Sequence, residues 1–282
     1  MATARTATST ARSAADPTTV VVPSIVHSSG VNDTFFTTRL SVTNLAAAPA
    51  PLRLAYSYSG TDATGSPVSG TKTVDLTLGP RASLPVTQGD DVVARLFALP
   101  TGWNTSGALR VEGAGVLQCM VNSWVQTVDA HTPDRNLKFA SVPGFASTSR
   151  SVVGPGGEPA LLSSGVSKVA GWRTNLILTE VSGQPADVRV RLVDGVTGLA
   201  LGQTDVLSLA PFEKRQVNDA SLWGLLGLPV GHRDRLQMVI ESAGPGAGRV
   251  AALLTEIAGD GTNATLVTPF GPAGPPGPVI EF

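Results

Sequence analysis

The sequence predicts an all-β protein: two tandem immunoglobulin-like β-sandwich domains, each with one short helix. Three observations carry this prediction. Apolar and polar residues alternate over short segments, Gly and Pro separate the segments, and the chain contains an internal duplication. In the clearest pair of copies, FTTRLSVTNLAAAPAPLRLAY (36–56) and WRTNLILTEVSGQPADVRVRL (172–192) align without a gap, with six of twenty-one positions identical.

The pattern in each copy of this segment predicts a β-hairpin. Apolar residues with a period of two mark one face of each strand: Phe36, Leu40 and Val42, then Leu52, Leu54 and Tyr56; in the second copy Trp172, Leu176 and Leu178, then Val188, Val190 and Leu192. Prolines interrupt the ladder between the two runs, so the connection lies there. The alignment places Phe36 and Trp172 on the inward face.

The remaining elements recur in the same order. Residues 74–80 match 205–211 as strands that end at a proline, and 108–113 match 237–242. Residues 115–124 match 248–257, and both runs are apolar on two faces, as in the middle of a sheet. Between these strands, 89–100 match 218–229, where apolar residues recur at three and four. One short helix per copy is predicted there, with Asp90 or Asp91 and Asp219 or Ser221 as N-caps.

These matches divide the chain into a leader (1–17), a first repeat (18–145), a second repeat (146–272) and a Pro/Gly-rich tail (273–282). The leader has the composition of an organellar transit peptide, but we expect a solvated leader without an apolar signal region. Residues 147–165 show no periodicity and are expected to be a linker or an elaborated first strand of the second repeat. The tail contains three Gly-Pro steps and is expected to be a stiff polyproline-type segment.

Four segments in order, VPSIVHSSGVNDTFFTTRLSVTN, LTLGP, DDVVARLFAL and SGALRVEG, resemble a repeat in predicted secreted proteins of Acidobacteria and other environmental bacteria. The resemblance covers nearly all of the first repeat, whereas the second repeat lacks the VPSIVH opening. It implies an extracellular β-sandwich module, usually in tandem, and it implies no catalytic residue.

Composition argues against several functions. Charged residues make up 15% of the chain and the net charge is −1, without a basic run that would indicate a nucleic-acid partner. No window has the apolar length of a membrane span. Cys119, the single cysteine, excludes an intramolecular disulfide and is expected in the core. The low charge content, together with many Thr, Ser, Ala and Gly residues, suits an extracellular or cell-surface protein.

No pattern indicates an enzyme, a metal or a cofactor. The three histidines lack zinc-site spacing, and no nucleophile elbow, P-loop or dinucleotide fingerprint is present. His27 is expected to make a hydrogen bond to a turn. Asp129, His131 and Asp134 lie in one expected loop, where a polar turn is favoured over a calcium site or a catalytic dyad.

Tryptophans supply the candidate ligand contacts. Trp124 and Trp172 are expected in the core, whereas Trp103 and Trp223 lie beside or within the helices and are candidate glycan contacts.

The sequence therefore favours a non-enzymatic structural or adhesive protein that self-associates as a filament or surface-layer subunit. Residues 18–26, attached to the leader, are a candidate donor strand through Val20, Val21, Val22, Ile25 and Val26. The other interpretation of this segment is the first strand of its own domain. The alternative function is a carbohydrate-binding or recognition module with a surface glycan as its partner.

Overall fold

The computed structural model describes residues 19–30, 34–85, 90–116, 119–129, 136–147, 149, 151–155, 161–168, 171–228, 233–258 and 264–267. The protein is all-β, as the sequence predicts, and its strands pair antiparallel. The hairpins predicted at 36–56 and 172–192 are wrong, because the two strands of each segment form but pair with other strands and not with each other. The predicted leader and tail lie outside the described residues.

The first half of the chain forms one continuous path of strands. Its elements are β1 (Thr19–Ser29), β2 (Thr34–Asn44), β3 (Ala50–Thr61), β4 (Pro67–Leu78), α1 (Val92–Phe97), β5 (Asn104–Glu112), β6 (Cys119–Asp129), β7 (Asn136–Pro143) and β8 (Phe145–Ala146). The strand order is β4-β3-β5-β1-β2-β6-β7, with β8 also on β1. β1 pairs with β5 from Thr19 to His27 but with β2 only at Ser28 and Ser29. It therefore joins two sheets by passing from one to the other.

The second half forms two sheets. Its elements are β9 (Val152–Val153), β10 (Leu161–Lys168), β11 (Trp172–Glu180), β12 (Ala186–Asp194), β13 (Ala200–Gln203), β14 (Leu207–Leu209), β15 (Lys214–Val217), α2 (Asp219–Leu225), β16 (Arg233–Ser242), β17 (Val250–Ala258) and β18 (Ala264–Val267). One sheet has the order β10-β16-β12-β13, with β14 also on β12. The other has the order β15-β11-β17-β18, with β9 on β17.

The pairings repeat along the chain. The path β1-β5-β3-β4 has its counterpart in β10-β16-β12-β13, and β2-β6-β7 in β11-β17-β18. β10 holds the place of β1 although its sequence differs, so the aperiodic segment 147–165 contributes to a first strand. The counterpart of β4 is split into β13 and β14. Between them, the backbone N–H of Thr204 donates to the carbonyl of Val190, and the hydroxyl of Thr204 accepts from the backbone N–H of Val190.

Both predicted helices are present. Asp91 caps α1 through its carboxylate, which accepts from the backbone N–H groups of Val93 and Ala94. The N-cap predicted for α2, Asp219 or Ser221, is wrong, because the cap is Asn218. Asp219 instead accepts from the backbone N–H of Thr174 and from the indole N–H of Trp223, which ties the helix to β11.

The buried apolar residues form two clusters that meet across the halves. The first cluster, centred on the strands of the first half, continues into the second half through Ile177, Val181, Ala251 and Leu253. On the same two strands of the second half, Leu176, Leu178, Ala252 and Leu254 belong to the second cluster. Over these residues β11 and β17 are therefore buried on both faces, which explains the uninterrupted apolar run at 250–254.

Candidate functional site at the junction of the two halves

The junction is built around β1, which is buried on both of its faces. Val20 and Val22 pair with Val111 and Leu109 and face the core of the first half. Since side chains alternate along a strand, Val21 lies on the opposite face, beside its partner Arg110. β1 contacts β11 and β17 of the second half, so the strand serves two cores.

Polar contacts cross the same junction. The hydroxyl of Thr179 donates to the carbonyl of Pro23 at 3.1 Å. The ammonium of Lys214 lies 3.4 Å from the hydroxyl oxygen of Ser24. The guanidinium of Arg110 lies 4.2 Å from the ring centroid of Phe212, a cation–π geometry. These contacts fix the position of the second half on β1.

Lys214 is the ionisable group that this junction perturbs. Burial lowers the pKa of its ammonium to about 8, because the charged form loses solvation. Within the described residues, no carboxylate lies within ion-pair distance of this amine. The carboxylate of Glu213, its neighbour in sequence, accepts instead from the backbone N–H of Ala210. Among the residues that the structure describes, this cation therefore has no compensating charge.

The candidate donor strand lies within its own chain in this structure. The side chains of Val20, Val21, Val22 and Ile25 are buried. Val26 is half-buried, and its backbone N–H donates to the hydroxyl of Thr38. The segment occupies the position of a first strand, the other interpretation that the sequence leaves open. Donation to a neighbour would require these residues to leave two cores.

The tryptophans are arranged differently from the sequence expectation. Trp223 is only 3% exposed and its N–H is bound by Asp219. The expected surface position is therefore wrong, because the face of α2 that carries Trp223 packs against the second core. Trp172 is 41% exposed, so its expected inward position is also wrong. It is the first residue of β11, paired with the last residue of β17, Ala258, at the end of the sheet.

Trp103 is half-buried and packs against Tyr58, with 6.3 Å between the ring centroids. It retains an accessible surface and stays a candidate glycan contact. The side chain of Trp124 lies outside the described part of the chain.

His27 connects β1 to the start of α1. Its Nδ1 lies 2.5 Å from a carboxylate oxygen of Asp91, and its ring meets Phe35 edge-on with 4.9 Å between centroids. The sequence predicts a hydrogen bond to a turn, but the partner is the carboxylate that caps the helix. Sequence separation hides this pair, since the two residues are 64 positions apart.

The other residues that the sequence singles out form no further site among the described residues. His131 and Asp134 lie outside the described residues, and of Asp129 only the backbone position at the end of β6 is described. Cys119 is half-buried, its thiol donates to the carbonyl of Gly115, and burial raises the thiol pKa. Among the residues that the structure describes, no cluster of three His, Cys, Asp or Glu groups could hold a metal ion. None of the helices in the described ranges is long and apolar enough to cross a membrane.

Comparison with known proteins gives no family for this chain. No protein-family model and no curated protein matches it. Among solved structures, the apo form of a Pleurotus ostreatus lectin is 12% identical over 89% of this chain and 84% of the lectin chain, with a TM-score of 0.15. A likeness at this level carries no argument about fold or function.

Proposed function

We propose that this protein is a non-enzymatic structural or adhesive component of the cell surface or extracellular space. In this proposal, it is built from two tandem immunoglobulin-like sandwiches. One observation supports the proposal most directly: β1, β11 and β17 place both halves on one continuous apolar junction. A junction of this kind makes a rigid building block, because relative motion of the halves would expose Ile177 and Leu253 to water.

We propose further that copies associate by exchanging β1. A strand that leaves its own chain can be replaced by the identical strand of a neighbour, and the same contacts then form between copies. After the exchange, Val21 would pack against Ile177 of another molecule. Ser24 would contact the Lys214 of that molecule, and the carbonyl of Pro23 would accept from its Thr179. Exchange that runs head to tail produces an open filament.

Negative-stain microscopy and light scattering over a range of protein concentration test the assembly. Residues 1–18 should be removed in one variant, while β1 must be kept because its side chains fill the core. Concentration-dependent fibres or rings are the expected result for the full chain. A monodisperse monomer at all concentrations would refute the assembly proposal.

A disulfide that locks β1 in its own chain tests the exchange. Val26 and Ser106 are direct partners across β1 and β5 and both are half-buried, so Val26→Cys with Ser106→Cys provides the lock. Cys119→Ala removes the native thiol and serves as the control background. The oxidised double variant should remain monomeric and should assemble on reduction. Assembly that is equal in the oxidised form would rule out exchange of β1.

A further inference from the structure

We propose that Tyr58, Trp103 and Lys72 form a binding site for an acidic polysaccharide that contains uronic acid units. This site lies at one end of the first half, where the edge strand β4 passes α1, and it does not depend on the assembly proposed above.

Two half-buried aromatic rings provide the apolar surface of the site. The rings of Tyr58 and Trp103 lie 6.3 Å apart at an interplanar angle of 55°. Behind Tyr58, the buried ring of Tyr56 is stacked at 5.4 Å, and Phe97 of α1 packs at 5.4 Å on Tyr56. The outer rings therefore rest on a rigid base. Because aromatic faces carry partial negative charge, they attract the C–H groups on the face of a pyranose ring.

Lys72 places a positive charge beside these rings. In the pairing of β3 with β4, Tyr56 lies opposite Lys72 and Tyr58 lies opposite Gly70. Lys72 is therefore the diagonal neighbour of Tyr58 on the same sheet face, a spacing of roughly 7–8 Å between Cα atoms. Its side chain is exposed, and it makes no ion pair with any described residue. An inward lysine on an edge strand also hinders edge-to-edge pairing, but that role does not require adjacent aromatic rings.

The glycine opposite Tyr58, Gly70, leaves space around the hydroxyl of this tyrosine. A Cβ at Gly70 would lie 3.1 Å from the hydroxyl oxygen, closer than ordinary van der Waals contact. Within the described part of the chain, neither this hydroxyl nor the indole N–H of Trp103 makes a hydrogen bond. With Lys72, the site thus presents three donors without a protein acceptor, which suits a ligand rich in oxygen.

The neighbouring loop uses its carboxylate for hydrogen bonds within its own turn. Gly102, with φ of 84°, brings the Trp103 loop close to Ala63 in the β3–β4 turn. The acidic residue of that turn is Asp62, whose carboxylate accepts from the backbone N–H groups of Thr64 and Ser66. Since no described carboxylate forms an ion pair with Lys72, the lysine is available to a carboxylate of the ligand, and a uronate supplies one.

Affinity electrophoresis in gels that contain polygalacturonate, compared with gels that contain neutral dextran, tests the proposal. Trp103→Ala should weaken retardation by polygalacturonate about tenfold or more, through the lost ring surface. Lys72→Gln should weaken it about three- to fivefold. Two matched controls should leave it unchanged: Trp172→Ala removes an exposed tryptophan at another site, and Arg53→Gln removes a cation that is paired with Asp75.

Three results would overturn the site: no retardation of the native protein by polygalacturonate, equal retardation by dextran, or Lys72→Gln behaving like Arg53→Gln. Lys72 is exposed, so its variant folds and keeps the test decisive even if Trp103→Ala lowers stability. Circular dichroism of each variant checks the fold. Failure here leaves the assembly proposal standing, because assembly is measured without polysaccharide.

Discussion

Asn44 and Glu180 occupy the same position of the duplicated segment, and both are fully buried, yet the amide of Asn44 both donates and accepts hydrogen bonds whereas the carboxylate of Glu180 only accepts them. The amide nitrogen of Asn44 donates to the carbonyls of Ala48 and Gly79 at 2.8 and 2.9 Å. The carboxylate of Glu180 accepts from the backbone N–H groups of Ser182 and Gly183, both at 2.7 Å.

This relationship shows how the two copies diverged. At the end of the first strand of each segment, the loop turns one backbone N–H group toward the buried side chain, that of Ala46 or Ser182. The first copy adds backbone carbonyls, whereas the second adds further N–H groups. Glu180 also accepts from the backbone N–H groups of Phe212 and Arg249, so it joins three segments of the second half. A polar side chain is required at this buried position, and the surrounding backbone groups determine which polar side chain can satisfy them.

We expect Glu180→Gln to destabilise the protein by about 2–4 kcal/mol, because an amide N–H₂ would face backbone donors and leave buried groups unsatisfied. Urea denaturation measures the loss. Glu241→Gln is the matched control: that side chain makes a partly exposed ion pair with Arg191 and should cost less than about 1 kcal/mol. Equal losses for both variants would contradict the role assigned to Glu180.

Lys214 makes stability depend on pH above neutrality. Its folded-state pKa of about 8 lies below the ordinary value of 10.5, so the unfolded chain binds more protons between these values. Stability should therefore rise as the pH increases through this window and fall as it decreases through the folded pKa.

Lys214→Met should abolish this rise and increase stability at pH 7 by about 1–3 kcal/mol, because no charge is then buried at the junction. Urea denaturation at pH values from 7 to 9.5 gives both quantities. Lys72→Met removes an exposed lysine and serves as the control, with the pH-dependence expected to persist. A flat profile in the native protein would contradict the prediction.

Tyr56 should resist ionisation while the protein is folded. Burial raises its pKa far above the ordinary value of 10.0, and its hydroxyl donates to Thr105. The neutral phenol therefore contributes stability that is complete below pH 10 and is lost as the pH rises above it.

Ultraviolet titration of the two tyrosines checks this prediction. One phenol should ionise only as the chain unfolds in alkali. That late step should be absent in Tyr56→Phe and present in Tyr58→Phe. If Tyr58→Phe lost the step instead, the assignment to Tyr56 would be wrong.

Trp223 should matter for stability but not for glycan binding. Trp223→Phe removes the hydrogen bond to Asp219 and should cost about 1 kcal/mol or more, as measured by thermal or urea denaturation. Trp172→Phe, at an exposed position, should change stability by less than about 0.5 kcal/mol. Retardation by polygalacturonate should be the same in Trp223→Phe and the native protein. A loss of retardation in Trp223→Phe without a loss of stability would contradict this placement.

Local pattern was sufficient to predict several elements. Alternation predicted the two strands β2 and β3 but not their partners: the expected hairpin is wrong, because β2 pairs with β1 and β6 whereas β3 pairs with β4 and β5. The spacing of Val93, Leu96 and Phe97 together with Asp91 predicted α1 and its cap. These features depend on residues close in sequence, whose physical preferences are visible without the fold.

Long-range contacts could not be predicted in the same way. The pairing of His27 with Asp91 and the contact of Thr179 with Pro23 join residues 64 and 156 positions apart. The exposure of Trp172 and the burial of Trp223 depend on where a strand ends and which way a helix faces its core. The apolar run at 248–257 was visible, but the second core behind it was not.

The buried position of β1 has a consequence for synthesis on the ribosome. The first half is complete up to Phe145 before β11 and β17 have been translated, and a nascent chain folds its N-terminal part first. During that interval the outer face of β1 and β5, with Val21 and Arg110, is without its cover. Adjacent ribosomes on one messenger RNA hold such uncovered faces close together, so in the exchange proposed above the order of translation would set when one copy captures the strand of another.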